Sequence, residues 1–271
     1  MNMKILFLGE IVGKPGSTII KDHLRTLKAE KNIDVIIANG EGATNGFGLG
    51  KAHAIRLLKS GVDIITGGEK IFFKIDMVDF IEKTGHVLRP ANYPAEVPGR
   101  GIKYLDVGKE KLAVINILGT SEFSRIHLTN PFQIIERMIA KAKEITPNIV
   151  VQFHAATTAE KATLGYMLNG KVGAVIGTHS KALTSDARIL EKGTAFITDN
   201  GMCGSLLSVG GFNSDNEIDQ FITAVPRRSK ECWDGLEIQG VIVELDDKGK
   251  AVNIETMRKK FLEEVSNVSN S

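Results

Sequence analysis

Two stretches of sequence decide the fold: residues 4–10 read KILFLGE, and residues 34–41 read DVIIANGE. Each is a short apolar run that passes through small residues to a carboxylate. Three later runs end in the same way, with a carboxylate or an imidazole. The five terminal side chains are Glu10, Glu41, Glu69, His154 and His179. Because amphipathic helical patterns separate the runs, the sequence predicts βαβ units in an α/β fold with a mostly parallel sheet.

The same periodicities place the remaining elements. Strands are predicted over residues 4–8, 34–38, 62–66, 111–117, 148–153, 173–176 and 194–198, and a closing β-hairpin over 236–245 and 251–257. Helices are predicted over residues 17–29, 51–59, 73–83, 131–144 and 158–167. No linker or internal repeat interrupts the pattern, so we expect one domain over residues 1–265 and a polar tail over residues 266–271.

Charge and cysteine content narrow the class of protein. The 271 residues include 34 basic and 32 acidic side chains, and this balance carries no signature of binding to nucleic acid or a membrane surface. The small basic cluster of Arg227, Arg228 and Lys230 is interpreted as solvated. Two cysteines are too few for a disulfide framework, and Cys203 is predicted to be a small buried residue. Since no apolar run is long enough for a secretory signal or a spanning helix, we expect a cytoplasmic protein.

The five strand-terminal side chains suggest a shared site. Ligands of open α/β sheets bind beyond the carboxyl ends of the strands, so parallel strands would bring these groups to one edge. A single carboxylate after a strand is more often a helix cap or a solvated charge, and His154 could be a hydrogen-bonded core histidine. From the residues alone, a clustered metal or acid–base site and this structural explanation both stay open.

Seven ordered blocks extend over nearly the full chain, and together they resemble the YmdB-like metallophosphoesterases. The blocks are GEIVGKPG (9–16), IIANGEGATNGFGL (36–49), DIITGGEK (63–70), RPANYP (89–94), FHAATTAEK (153–161), AVIGTHSKALTSDARIL (174–190) and GTAFITDNGMCG (193–204). The resemblance implies the calcineurin-like metallophosphoesterase fold, with two mostly parallel or mixed β-sheets flanked by helices. It also implies a binuclear metal centre that hydrolyses phosphodiesters, with 2′,3′-cyclic nucleotides among the substrates.

The resemblance carries the family's second metal over to four positions of this chain. They are Glu41, Glu69, His154 and His179, and Glu69 stands where the family has asparagine. Two carboxylates and two imidazoles suit a divalent Fe, Mn or Zn ion. The resemblance therefore implies that this site is retained.

The family's first metal site is changed more deeply. Its ligands map to Glu10, Glu41 and Lys181, and an ammonium group repels a divalent cation. We therefore expect one metal ion rather than two, with Lys181 pairing with Glu10 and Glu41 in place of the first ion. A site with no metal also stays open, in which Lys70 and Lys181 neutralise the three carboxylates.

Two lysines stand where the family has histidines with roles in catalysis and metal binding. Lys70 replaces the family's general acid and could serve as one only if its pKa fell toward neutrality. We assign catalytic roles to Lys70 and Lys181 as cations that offset phosphoryl charge. From the resemblance, Gly42 and Asn92 are assigned to substrate binding.

These features predict a metal-dependent phosphodiesterase that acts on a small phosphodiester or nucleotide. The alternative is a catalytically degenerate homologue that binds a ligand or a protein as a regulator. Loss of first-site ligands favours the binder, whereas retention of Glu41, His154 and His179 favours the enzyme. Neither a membrane nor nucleic acid is expected as a partner, and a homo-oligomer is expected by analogy alone.

Overall fold

The computed structural model describes residues 2–123 and 128–261, and these residues form strands and helices in alternation. The strands are β1 (Met3–Ile11), β2 (Val35–Asn39), β3 (Ile64–Thr66), β4 (Val87–Leu88), β5 (Ile102–Val107), β6 (Glu110–Leu118), β7 (Ile149–His154), β8 (Ala174–Thr178), β9 (Arg188–Ile189), β10 (Ala195–Ile197), β11 (Met202–Ser205), β12 (Leu236–Leu245) and β13 (Ala251–Phe261). The helices are α1 (Gly13–Lys31), α2 (Lys51–Lys59), α3 (Ile75–Thr84), α4 (Pro131–Lys143), α5 (Thr158–Met167) and α6 (Ser214–Thr223).

The strands form two mixed sheets. The first sheet has seven strands in the order β13-β12-β11-β1-β2-β3-β4, and the second has six in the order β5-β6-β7-β8-β10-β9. Strands β1 to β4 are parallel to one another, as are β6, β7, β8 and β10. Antiparallel strands form one edge of the first sheet and both edges of the second. The prediction of two mostly parallel or mixed sheets is confirmed.

The two sheets pack face to face between outer layers of helices. Alternation along β1 shows this, because Ile5 and Phe7 join the core shared with the second sheet, while Leu6 and Leu8 pack with the residues of α1 to α3. Side chains of a strand point to opposite faces in turn, so both faces of β1 are buried. Helices α4 and α5 cover the outer face of the second sheet. The result is a four-layer arrangement of helices, sheet, sheet and helices.

Most predicted elements are present, and the differences have local causes. Helices α2 and α5 match their predicted bounds, and α4 begins at Pro131 with the Asn130 side chain capping the Phe132 N–H at 2.9 Å. Strand β5 was not predicted, because this edge strand is only partly buried and lacks a clear apolar alternation. Helix α6 was not predicted either, and none of its residues is buried.

Two further predictions concern the extent of the domain and the membrane. The polar tail over residues 266–271 lies outside the described residues, and a single domain over residues 1–265 stays a prediction. In the described ranges, every helix is too short or too polar to cross a membrane.

The carboxyl ends of strands from both sheets lie at the same edge. Glu10 lies near the end of β1, Glu41 follows β2, and Glu69 follows β3. In the second sheet His154 is the last residue of β7, and His179 follows β8 directly. The strand ends therefore position the predicted side chains around one region.

Candidate metal centre

Three side chains with metal-binding atoms meet where strands of the two sheets end. Ligand atoms of Glu69, His154 and His179 all lie within 4.8 Å of one another. His154 Nε2 is 2.9 Å from Glu69 Oε2 and 3.1 Å from His179 Nδ1. The structure thus brings together three of the predicted ligands from separate parts of the chain. That they bind a metal stays a prediction.

The His154 ring is fully buried and is oriented by its second nitrogen. Nδ1 lies 2.9 Å from Thr178 Oγ1 and 3.4 Å from Asn39 Nδ2. A proton on Nδ1 that is donated to Thr178 leaves the lone pair of Nε2 facing Glu69. Metal-binding histidines commonly donate their other ring N–H in this way, which fixes the tautomer.

Burial and neighbouring charges shift the pKa values of Glu69, His154 and His179. Burial lowers the pKa of His154, but the adjacent Glu69 carboxylate outweighs burial and raises it overall. Burial raises the pKa of Glu69, and the His154 imidazole together with the Lys70 ammonium lowers it overall. Burial and the neighbouring His154 lower the pKa of His179 to about 4. His179 is therefore neutral at pH 7, the form that binds a cation.

A buried ion pair holds the loop that carries His179 and Lys181. Lys161 Nζ lies 2.9 Å from Asp199 Oδ2, and that oxygen also accepts the Ser180 backbone N–H at 2.8 Å. Lys161 donates to Ser180 Oγ as well, at 3.2 Å. His179 has φ of 111° and Lys181 has φ of 60°, which non-glycine residues rarely adopt. Such backbone strain persists where surrounding contacts fix the loop, and it is often found at functional sites.

Glu41 lies beside the three-residue group but is bound by backbone amides. One carboxylate oxygen accepts the Gly68 N–H at 2.5 Å, and the other accepts the Lys70 N–H. Burial, with the nearby Glu69 carboxylate, raises the pKa of Glu41 to about 7 against the opposing charge of His154. Its role as a metal ligand stays a prediction, and its observed contacts fix the loop after β3.

The two predicted catalytic lysines form ion pairs with the carboxylates of this region. Lys70 Nζ lies 3.2 Å from Glu69 Oε1, and Lys181 Nζ lies 3.5 Å from Glu10 Oε1. Burial lowers the pKa of Lys70, but the charges of Glu69, Glu10 and Glu41 raise it overall, so Lys70 stays a cation at pH 7. A catalytic role for Lys70 stays a prediction. In the described ranges, Lys181 pairs with Glu10 and forms no ion pair with Glu41.

Gly42 leaves room for the longer side chain at position 10. A Cβ at Gly42 would lie 2.6 Å from Glu10 Oε1, so the carboxylate occupies the space that a larger residue would fill. Asn92, by contrast, makes structural hydrogen bonds: its amide donates to the Leu118 and Thr129 carbonyls at 2.8 and 3.1 Å and accepts the Leu118 N–H at 3.0 Å. Substrate binding by either residue stays a prediction.

A divalent cation fits the Glu69–His154–His179 group on chemical grounds. Glu69 Oε2 is buried and has no hydrogen-bond partner in the part of the chain that the structure describes, although it lies close to His154 Nε2. His154 Nε2 and His179 Nδ1 lie 3.1 Å apart, a distance at which one nitrogen donates its proton to the other or both bind one metal ion. A metal bound by two imidazoles and one carboxylate would satisfy all three atoms, and Fe, Mn and Zn accept that donor set.

Several supporting residues were missed by the sequence analysis. Thr178 directly precedes His179, and Lys161 and Asp199 lie in the blocks FHAATTAEK and GTAFITDNGMCG. A lysine on a short helix normally faces solvent, so only one feature of the sequence indicated that Lys161 supports the site, namely its position within the block FHAATTAEK. Cys203 is fully buried, as predicted, and burial raises the pKa of its thiol to about 12.

Gly68→Ala is expected to disturb the candidate metal centre. A Cβ at Gly68 would lie 2.5 Å from His154 Nε2, so the ring must move away from its two partners. We expect metal affinity, measured by the thermal shift with Mn²⁺, to fall at least about tenfold, as for changes that reorient metal ligands. Gly204→Ala is the matched control, because its Cβ would meet Val12 at 3.6 Å. Equal Mn²⁺ shifts in both variants would contradict the assignment.

The four-layer arrangement, with possible metal ligands at the strand ends, is the arrangement that the resemblance to metallophosphoesterases implied. A family model described as YmdB-like protein matches residues 6–257. The chain belongs to the YmdB-like family. It is 39% identical over 254 residues to a 2′,3′-cyclic-nucleotide 2′-phosphodiesterase of Bacillus subtilis (strain 168), covering 93% of this chain and 96% of that relative.

Solved structures agree with the family assignment. A phosphatase from Mycoplasma pneumoniae has a TM-score of 0.88 at 34% identity, covering 96% of this chain and 94% of that chain. A 5′-nucleotidase precursor from Thermus thermophilus has a TM-score of 0.58 at 11% identity, covering 96% and 55% respectively. At that identity the likeness concerns the fold alone. The predicted calcineurin-like fold is confirmed.

Proposed function

We propose that this protein is a metal-dependent phosphodiesterase that hydrolyses 2′,3′-cyclic nucleotides or similar small phosphodiesters at the Glu69–His154–His179 centre. The observation that carries the proposal is the meeting of these three metal-binding groups, one of which has a buried oxygen without a hydrogen-bond partner among the described residues. The name of the Bacillus subtilis relative supports the class of substrate. Location in the cytoplasm and self-association stay predictions.

The chain's own residues can position and neutralise a phosphodiester. A bound metal would polarise the phosphoryl group and lower the pKa of a water molecule. Lys70 and Lys181 stay close to the carboxylates, and their ammonium groups would offset negative charge on the phosphoryl oxygens. Because Lys70 stays protonated, it serves as a fixed cation, and the leaving oxygen takes its proton from solvent or a bound water.

We propose one metal ion per chain. The Lys181–Glu10 ion pair supports this count, because the ammonium lies against the carboxylate that the resemblance assigns to the other metal. We expect elemental analysis of protein purified without chelator to find about one Fe, Mn or Zn ion. Two tightly bound ions per chain would refute the replacement of a metal by Lys181.

Metal-dependent turnover is the direct test of the proposed function. Chelator-treated protein should be inactive, and added Mn²⁺ should restore hydrolysis of 2′,3′-cyclic AMP and bis-p-nitrophenyl phosphate while raising the melting temperature. Activity that persists in excess chelator would contradict metal dependence. The Lys181–Glu10 ion pair also favours a second candidate, a protein that binds its ligand without hydrolysis. A Mn²⁺ shift with no turnover of either substrate would support that candidate.

A further inference from the structure

A large basic cleft opens beside the candidate metal centre. Its volume is about 1110 Å³, above the roughly 300–1,000 Å³ of ordinary small-molecule pockets. Lys70 and Lys181 line it, and both also pair with carboxylates of the centre. The cleft therefore borders the proposed site of hydrolysis through these two lysines.

The cleft concentrates positive charge that the whole chain does not show. Seven lysines and arginines line it against two glutamates, whereas the chain as a whole has 34 basic and 32 acidic residues. The two glutamates already accept hydrogen bonds, Glu217 from Ser229 Oγ and Glu231 from the Lys14 N–H. The excess of cations around the cleft is therefore only partly neutralised by its own acids.

Most of these cations lack a partner within the described ranges. Lys14, Lys74, Arg228 and Lys230 form no ion pair there, while Arg227 is paired with Asp219 at 2.7 Å. Like charges that line one cavity repel one another, so their clustering favours a ligand with several negative charges. A mononucleotide carries too few negative charges to reach all of these cations, since its one phosphate would lie beside Lys70 and Lys181 in the proposed function.

Two exposed aromatic rings also line the cleft. Phe47 is 55% exposed and Trp233 is 44% exposed, so both rings keep apolar surface that a ligand could cover. Cations that follow a phosphate backbone, together with aromatic rings on which bases stack, are typical of sites for single-stranded nucleic acid. The combination distinguishes such a ligand from inorganic polyphosphate or an acidic peptide.

Hydrogen bonds hold the backbone of the basic segment that lines the cleft. The Asn213 N–H donates to the Lys230 carbonyl at 2.8 Å, and Asn216 Nδ2 donates to the Arg228 carbonyl at 3.3 Å. Phe212 forms an isolated antiparallel β-bridge with Glu231, and its ring packs against the backbone of Gly46. The basic segment is therefore held in place by its backbone, which leaves its side chains available.

We infer that this cationic cleft, defined by Lys14, Lys74, Arg228, Lys230, Phe47 and Trp233, binds a single-stranded oligoribonucleotide whose 3′ end carries a 2′,3′-cyclic phosphate. The inference rests on the proposed function, because such an end presents the same phosphodiester as a cyclic mononucleotide. Water adds to phosphorus, the bond to the 2′ oxygen breaks, and that oxygen takes a proton. The product is an RNA with a 3′ phosphate and a free 2′ hydroxyl.

The charge balance of the whole sequence did not indicate nucleic acid, because acidic residues elsewhere cancel the count. Arg227, Arg228 and Lys230 were interpreted as a solvated cluster. The structure places them around the same cleft as Lys14 and Lys74. Their common orientation toward a cleft comes from the fold around α6.

Binding of a labelled RNA tests the inference independently of turnover. In chelator, a 5′-fluorescein hexaadenylate with a terminal 2′,3′-cyclic phosphate should bind at least about tenfold more tightly than 2′,3′-cyclic AMP in competition, measured by anisotropy. Arg228→Ala/Lys230→Ala should weaken hexamer binding at least about tenfold. The double substitution should also reduce the steepness with which the logarithm of affinity falls against the logarithm of salt concentration (the salt slope) by about 1.4, since each single-strand phosphate contact contributes about 0.7.

Control variants separate this site from general charge. Lys109→Ala/Lys248→Ala removes two exposed cations outside the cleft and should leave hexamer affinity and salt slope unchanged. Trp233→Leu should weaken the hexamer but not an inorganic polyphosphate of similar charge, because only the bases stack. Equal affinity for hexamer and mononucleotide, or equal losses in the two double variants, would overturn the inference. Absence of mononucleotide turnover would count against the proposed function alone, because hexamer binding is measured without it.

Discussion

His154→Ala is expected to abolish metal-dependent phosphodiester hydrolysis. His154 joins the other two members of the candidate centre, since its Nε2 lies 2.9 Å from Glu69 Oε2 and 3.1 Å from His179 Nδ1. Loss of residues that merely orient a ligand lowers metal affinity or activity about 10–100-fold, so loss of a direct ligand should cost at least about a hundredfold. Turnover of 2′,3′-cyclic AMP with Mn²⁺ and the Mn²⁺ thermal shift measure both consequences.

The control for His154→Ala is His86→Ala. His86 is exposed on the surface, where its ring contacts the Asp63 carbonyl at 3.1 Å, and it lies outside the candidate centre. We expect this variant to keep the activity and the metal response of the parent protein. Unchanged turnover in His154→Ala would indicate a contaminating enzyme or a different active site.

Lys161→Met is expected to lower the free energy of unfolding by about 3–5 kcal/mol. Lys161 is 1% exposed and Asp199 is fully buried, so the substitution leaves a buried carboxylate without its counter-charge. For a chain of this size the melting temperature should fall by about 6–20 °C, at roughly 2–4 °C per kcal/mol. Urea unfolding gives the free energy, with Mn²⁺ absent.

The same substitution should also weaken metal binding. Asp199 and Lys161 both hold Ser180, which lies between His179 and Lys181, so a looser pair should release the strained loop. We expect Mn²⁺ affinity to fall at least about tenfold, as for residues that orient ligands. An unchanged Mn²⁺ affinity would show that the pair stabilises the fold without positioning the site.

Two further variants test the cause of the lost stability. Lys161→Met/Asp199→Asn should recover part of it, because no charge is left buried while one oxygen can still accept a backbone N–H. Lys171→Met breaks the exposed pair with Glu136, whose side chains are 44% and 53% exposed, and should cost less than about 1 kcal/mol. Similar losses in Lys161→Met and Lys171→Met would contradict a special role for burial.

The sequence predicted the sheets well because strand signals are local. The runs that became β1, β2, β7 and β8 are apolar enough to be buried on both faces. The carboxyl-end rule then placed their terminal side chains at one edge. Helices α2 and α5 were also predicted at their observed bounds.

Other features depended on contacts between distant segments. A single sequence does not show that Lys161 pairs with Asp199, because an isolated helical lysine normally faces solvent. The pKa of Lys70 is raised by carboxylates from three separate segments of the chain, which no local pattern reveals. Helix α6 and the basic segment after it line the same cleft as Lys70 and Lys74, which are distant from them in the sequence.

The sequence by itself determined the α/β architecture, the strand ends and the types of ligand that they carry. Only the tertiary structure decided that Glu69, His154 and His179 meet and that Glu41 is held by backbone amides. It also decided that Lys181, which was expected to pair with both Glu10 and Glu41, forms its ion pair in the described ranges with Glu10. The periodicity of buried residues depends on residues that are close in the sequence, so the sequence alone reveals it. Distances between charged groups depend on how two sheets pack, so they exist only once the chain has folded.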